Sequence, residues 1–154
     1  METLTDELVT DLAALLAKPS RNLGETAWTV MTQDQVDAFA ELTGDENFIH
    51  VDPERAVQTP FGGTIAHGLF SLALLAPVTQ RLQVTDAATA INYGLDRLRF
   101  PAPLRVGDRW RAAAEVVGAE EIAGGVQARL RATIEVEGVS KPAVVAELLV
   151  RYYR

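Results

Sequence analysis

The chain contains no cysteine and only two histidines in 154 residues. Missing thiols exclude disulfides, thiolate zinc centres and a cysteine nucleophile, and they permit a reducing compartment. With His50 and His67 alone, proton transfer near neutral pH has few side chains to use. No apolar run reaches the roughly 20 residues that a membrane span needs. The start, Met1-Glu2-Thr3-Leu4-Thr5-Asp6-Glu7, is acidic and unlike a signal peptide, so a cytoplasmic protein is expected. Basic residues are in deficit, 14 against 21 acidic ones, and the net charge of −7 argues against a nucleic-acid partner. Repeats, low-complexity segments and linkers are also missing, and the length with 48% hydrophobic residues suits one compact domain.

What is present concentrates in Thr43-Gly44-Asp45-Glu46-Asn47-Phe48-Ile49-His50. On an unbroken helix a five-residue step turns the chain by about 140°, which would point Asp45 and His50 apart. The sequence supplies a break. Thr32-Gln33-Asp34-Gln35 reads as a capping box, and Val36, Phe39, Ala40 and Leu42 form the apolar stripe of the helix it starts. Gly44 sits where a left-handed terminator belongs, and Pro53 is expected to prevent early resumption. Asp45 to His50 is therefore predicted as a loop, where catalytic side chains concentrate. An Asp that orients a His is the minimum apparatus for moving a proton. Equally, an Asp after Gly forms turns, and a His can be a hydrogen-bonded structural residue.

The stretch Pro60-Phe61-Gly62-Gly63-Thr64-Ile65-Ala66-His67-Gly68-Leu69-Phe70-Ser71 runs into Leu72-Ala73-Leu74-Leu75-Ala76. The run from Ile65 to Ala76 is apolar on nearly all sides and reads as a buried helix ended or kinked by Pro77. Its first turn would offer unpaired N–H groups, and Gly68 would let a ligand approach the backbone. Gly68 can also simply permit tight packing, and His67 reads rather as a satisfied core residue.

These two stretches resemble the MaoC-like dehydratases, or (R)-specific enoyl-CoA hydratases, in the branch that includes nodulation protein N–like proteins. The similarity extends through Ile91-Asn92-Tyr93-Gly94-Leu95-Asp96-Arg97-Leu98-Arg99-Phe100-Pro101-Ala102-Pro103 and Lys141-Pro142-Ala143 to Tyr152-Tyr153. The resemblance implies Asp45 and His50 as catalytic pair, Asn47 as brace of their loop, the Gly68 N–H as binder of the thioester oxygen, and Ser71 as a supporting residue. Gly63, His67, Asn92, Tyr93 and Arg99 are the expected substrate contacts. Many relatives carry Pro where this chain has Phe48, and some carry a serine near Ala76. The implied activity is hydration of trans-2-enoyl thioesters to (R)-3-hydroxyacyl thioesters. No cofactor is implied beyond coenzyme A or phosphopantetheine as part of the substrate, with an acyl carrier protein as a further partner. One Asp and one His make a poor zinc site, so no metal is expected.

The remaining pattern is scaffold. Leu8, Leu12, Leu15 and Leu16 before Pro19 suggest a helical extension over 1–20, with the main domain over 21–154. Thr26 to Met31 reads as an entering strand. Val126, Ala128, Leu130, Ala132, Ile134 and Val136 alternate with polar neighbours, the signature of a half-buried antiparallel strand. Trp110 to Val117 and Val144 to Tyr153 alternate more weakly, and Ala123-Gly124-Gly125 and Glu137-Gly138 mark turns. Patterning alone gives an α+β protein with a helix against a curled antiparallel sheet. The resemblance gives the hot-dog fold, and a homodimer with the acyl tunnel between protomers. Arg97, Arg99, Arg105, Arg109 and Arg111 are candidates for an anionic carrier, or ordinary solvated strand positions. Two other readings stand beside the hydratase: a hot-dog thioesterase, in which a carboxylate activates water against the carbonyl, and a non-catalytic acyl-thioester binder.

Overall fold

The computed structural model describes residues 7–154. The first elements are a short strand β1 (Leu8–Thr10), helix α1 (Leu12–Ala17) and strands β2 (Arg21–Glu25) and β3 (Thr29–Val30). Helices α2 (Gln33–Thr43), α3 (Phe48–Val51), α4 (Pro53–Ala56), α5 (Gly68–Ala73) and α6 (Ala76–Thr79) follow. Strands β4 (Leu82–Val84), β5 (Thr89–Arg99), β6 (Arg109–Ile122), β7 (Gly125–Val136) and β8 (Val144–Tyr153) complete the chain. The main sheet runs β2-β6-β7-β8-β5, with β3 also on β6, and its pairings are antiparallel. β1 and β4 form a small parallel pair. This is the α+β hot-dog arrangement. No helix among the described residues is long and apolar enough to cross a membrane.

β7 shows why the sheet has two faces. Val126, Ala128, Leu130, Ala132, Ile134 and Val136 are all buried, as their period of two requires. Their polar neighbours face out and pair across strands. Arg131 meets Glu115, Arg129 meets Asp96, and Arg111 on β6 meets Glu135 and Glu25. Arg109 pairs with Glu137. Two of the five arginines, Arg109 and Arg111, are thus paired within the sheet, as ordinary strand positions would be.

The helices lie on the apolar face, α1 against β6 and β7, α5 against β8, and α6 against β2 and β6. The leucine pattern near the N-terminus divides differently from the expectation. Leu8 is in a strand, while Leu12 and Leu15 of α1 are fully buried in the common core. Residues 1–6 of the expected extension lie outside the described residues. The entering strand expected over Thr26 to Met31 is realised as Thr29–Val30 on β6, and Arg21–Glu25 pairs with β6 ahead of it.

The apolar run Ile65–Ala76 is not one continuous helix. Its start is held extended: Ala66 N–H donates to Leu104 at 2.7 Å and Val106 N–H donates to Thr64 at 3.0 Å. Those bonds delay the helix to Gly68. At the other end Pro77 has no N–H for the Ala73 carbonyl, and α5 stops there. Nor is the helix buried all round, since Leu69 is 65% exposed.

Leu130 sits at the centre of β7 with no exposed surface. Leu130→Ala is expected to cost about 2–5 kcal/mol of unfolding free energy. Urea denaturation should show a lower midpoint with an unchanged slope.

Candidate active site

Three local breaks in helix α2 and its successors build the site. The Thr32 hydroxyl accepts from the Gln35 N–H, and the Gln35 side chain accepts from the Thr32 N–H, completing the expected capping box. Gly44 ends the helix at φ 76°, a backbone region that side chains with a Cβ rarely adopt. Beyond it the structure departs from the predicted loop. Asn47 accepts from the Ile49 N–H at 3.3 Å and starts the one-turn helix α3, so His50 is helical. Pro53 does not block resumption either. It occupies the first turn of α4, where its missing N–H costs nothing, behind the Asp52 cap.

His50 is 7% exposed and is held from two sides. Its Nδ1 lies 2.7 Å from the Ile65 carbonyl, an acceptor only, so Nδ1 carries the proton. Nε2 is then the nitrogen free to accept one. The Gln33 amide donates to the His50 carbonyl at 2.7 Å and accepts from the Thr64 hydroxyl at 2.6 Å. Burial pushes the His50 imidazole below its ordinary value of 6.5, opposed by the Ile65 hydrogen bond; the neighbouring His67 lowers it further and Asp45 raises it.

The structure brings Asp45 to His50. A carboxylate oxygen of Asp45 and ring nitrogens of His50 and His67 all lie within 4.8 Å of one another. One water can bridge an oxygen and a nitrogen at that separation through two hydrogen bonds of about 2.8 Å each. Asp45 itself is exposed, and its Oδ1 accepts a long bond from the Asn47 N–H at 3.4 Å. The three side chains suit a metal ion poorly. The two imidazoles stack with centroids 3.8 Å apart and planes 23° from parallel, so their in-plane lone pairs run alongside each other. Each ring also has one nitrogen against a carbonyl.

A cavity of about 460 Å³ opens beside His50, walled by Ile49, Phe61, Ile65, Phe100 and Leu104, with Gly68 and Ser71 also in its lining. The Gly68 N–H has no acceptor among the described residues. The Phe100 ring packs on Gly68 so closely that an added Cβ would stand 2.9 Å from it. Ser71 donates to the His67 carbonyl at 3.1 Å.

The other expected substrate contacts are elsewhere in this chain. Gly63 precedes the Thr64 turn, and His67 is buried behind His50; neither walls the cavity. Asn92 borders a different cavity with Thr79, Gln83 and Tyr152. Tyr93 lies on the exposed face of β5 under the Arg151 guanidinium, 3.2 Å from its ring centroid. Arg99 ends β5 next to Phe100, its guanidinium on the Leu98 carbonyl at 2.7 Å. Gln33 and the Ile65 carbonyl escape a reading of the sequence, because both act on His50 only through the folded chain.

Comparisons with known proteins give the family of the chain. The model of the family described as MaoC like domain matches residues 15–138. The chain is 50% identical over 150 residues to 3-hydroxyacyl-thioester dehydratase Z of Mycobacterium tuberculosis (strain ATCC 25618 / H37Rv), covering 96% of this chain and 97% of that protein. It is 37% identical over 149 residues to nodulation protein N of Rhizobium leguminosarum bv. viciae, covering 88% and 86%. The solved (R)-hydratase from A. caviae involved in PHA biosynthesis superposes with a TM-score of 0.68 at 30% identity, covering 82% of this chain and 93% of that one.

The buried position of His50 sets a pH dependence. Its NMR titration midpoint is expected below 6.5, and Asp45→Asn should move it further down by removing the attraction of the carboxylate. The unfolded chain protonates His50 near 6.5 while the folded chain resists, so stability falls as pH drops through 6.5 and levels off below the folded midpoint. A midpoint above 6.5 would contradict the burial argument.

Proposed function

The chain belongs to the MaoC-like domain family, and from that premise we propose that it is an (R)-specific enoyl-thioester hydratase working through Asp45 and His50. Its relatives are named dehydratases and hydratases, which makes a hydro-lyase the class of enzyme. The proposed reaction is reversible syn hydration of a trans-2-enoyl thioester to the (R)-3-hydroxyacyl thioester. One observation carries the reading: a carboxylate and a half-free imidazole stand one water apart at an apolar cavity.

The chemistry follows from the tautomer. A water between Asp45 and His50 gives a proton to Nε2 as its oxygen bonds to C3. The double-bond electrons move through C2 onto the thioester oxygen. The proton on Nε2 then passes to C2 on the same face, which makes the addition syn. Such acid–base positioning contributes roughly 10²–10⁴ in rate. The charge on the thioester oxygen would be met by the Gly68 N–H, with about 10²–10³ for one donor. The proposed role of Asn47 is to hold α3 by its cap and thereby His50 opposite Asp45. Ser71 would fix the first turn of α5.

The substrate arrives as an acyl thioester of coenzyme A or of an acyl carrier protein. β5 is an edge strand with Ile91, Tyr93 and Leu95 exposed along it, apolar surface that a second copy would cover. A homodimer is proposed on that basis. In it Asn92, Tyr93 and Arg99 would reach the acyl thioester of the neighbouring protomer, and Gly63 would border the tunnel.

Asp45→Asn and His50→Ala are each expected to lower kcat/KM for a trans-2-enoyl thioester by about 100-fold or more with the fold intact. Loss of the conjugated absorbance reads hydration, and a free-thiol reagent reads thioester cleavage. Near-wild-type turnover in either variant, or thiol release matching substrate loss, would overturn the assignment.

A further inference from the structure

The proposed reaction leaves one buried imidazole without work. His67 is 3% exposed and takes no part in the cavity wall. Its Nε2 lies 2.9 Å from the Asp45 carbonyl, which only accepts, so Nε2 carries the proton. Its Nδ1 is buried without a partner. A proton added there would create a donor with nothing to receive it. It would also set a charge against the His50 ring, whose centroid is 3.8 Å away. Phe39 of α2 closes the far side at 4.9 Å and carries no charge; Asp45 and His50 are the titratable groups that face His67 among the described residues. The His67 carbonyl accepts from both the Ser71 N–H at 2.9 Å and the Ser71 hydroxyl at 3.1 Å.

We propose that His67 is a positioning residue for the hydration step: as the neutral Nε2–H tautomer it fixes the Asp45 main chain with its donor and the plane of the His50 ring with its face. The inference rests on the Asp45–His50 reading and adds what keeps that pair in register. Asp45 needs such a hold because it is exposed and, apart from the His67 bond, is held among the described residues by contacts of 3.4 Å. The stacked ring also restrains rotation of His50 about its bond to Ile65. When Nε2 of His50 takes up the proton of water, the new cation rests against a neutral ring. The carbonyl of the same residue anchors the first turn of α5, so one side chain and its own backbone tie both halves of the site.

Two substitutions separate the two grips. His67→Phe keeps a flat ring and loses the donor; His67→Gln keeps an amide donor and loses the ring. Both are assayed with His50→Ala and wild type on a trans-2-enoyl thioester, and ¹⁵N NMR of the wild-type ring nitrogens reads the tautomer. His67→Phe is expected to lower kcat about 10- to 100-fold with KM within about threefold, and His67→Gln to recover part of that loss. NMR is expected to show a protonated Nε2 and a bare Nδ1 on His67 at neutral pH. A His67→Phe enzyme within threefold of wild-type kcat, beside an inactive His50→Ala, would overturn this inference and leave the catalytic pair standing. An Nδ1-protonated or doubly protonated His67 would overturn it as well, even where neither variant folds. An active His50→Ala would instead remove the reading on which it rests.

Discussion

The hydrogen bond from His50 Nδ1 to the Ile65 carbonyl, at 2.7 Å, joins two segments that the sequence keeps 15 positions apart. The Ile65 N–H returns the contact by donating to Ile49 at 3.0 Å. This clasp decides the orientation of the imidazole and its tautomer together. It consumes the Nδ1 proton, leaves Nε2 unprotonated, and aims the ring at the cavity that begins at Ile65 and Gly68. Without it His50 would keep its burial and lose its direction. The clasp also holds His50 within reach of Asp45, just past the Gly44 turn.

Burial and charge at the site pull against each other. Removing His50 from water disfavours its cation, so the ring is available as a base at neutral pH. The same burial makes the resting protein less tolerant of acid. The rest of the molecule carries this cost on a rigid scaffold. β6, β7 and β8 form a continuous antiparallel ladder whose inner face is apolar, while the outer face spends its charge on cross-strand pairs such as Arg131–Glu115. Those exposed pairs contribute little stability individually, but they leave few free cations on that face despite the many arginines. Arg99, at the end of β5, stands outside these pairs with its guanidinium on the Leu98 carbonyl.

Much of this was legible before folding. The capping box at Thr32, the left-handed stop at Gly44 and the alternation along β7 each depend on near neighbours, and each appears where the residues place it. The Asp45–His50 pairing could be read as soon as the helix break was recognised. Other features depend on partners far along the chain. β5 has no alternating pattern because its residues are exposed on both faces, and its pairing with β8 includes two register shifts. The true length of α5 is set by the Leu104–Val106 segment, which captures residues 64–66 first. Phe48 hid the helical character of His50, since a four-residue helix lacks a periodic stripe. Gln33 looks like an ordinary first-turn residue, and nothing nearby in sequence reveals its bond to the His50 carbonyl.

In the proposed reaction Asp45 and His50 act on a single water, so their effects are coupled. A double-substitution cycle measures that coupling. Asp45→Asn combined with His50→Ala is expected to lower kcat/KM for a trans-2-enoyl thioester no more than the worse single change does. Losses that multiply would mean that the two side chains serve separate steps, and would contradict the shared-water site.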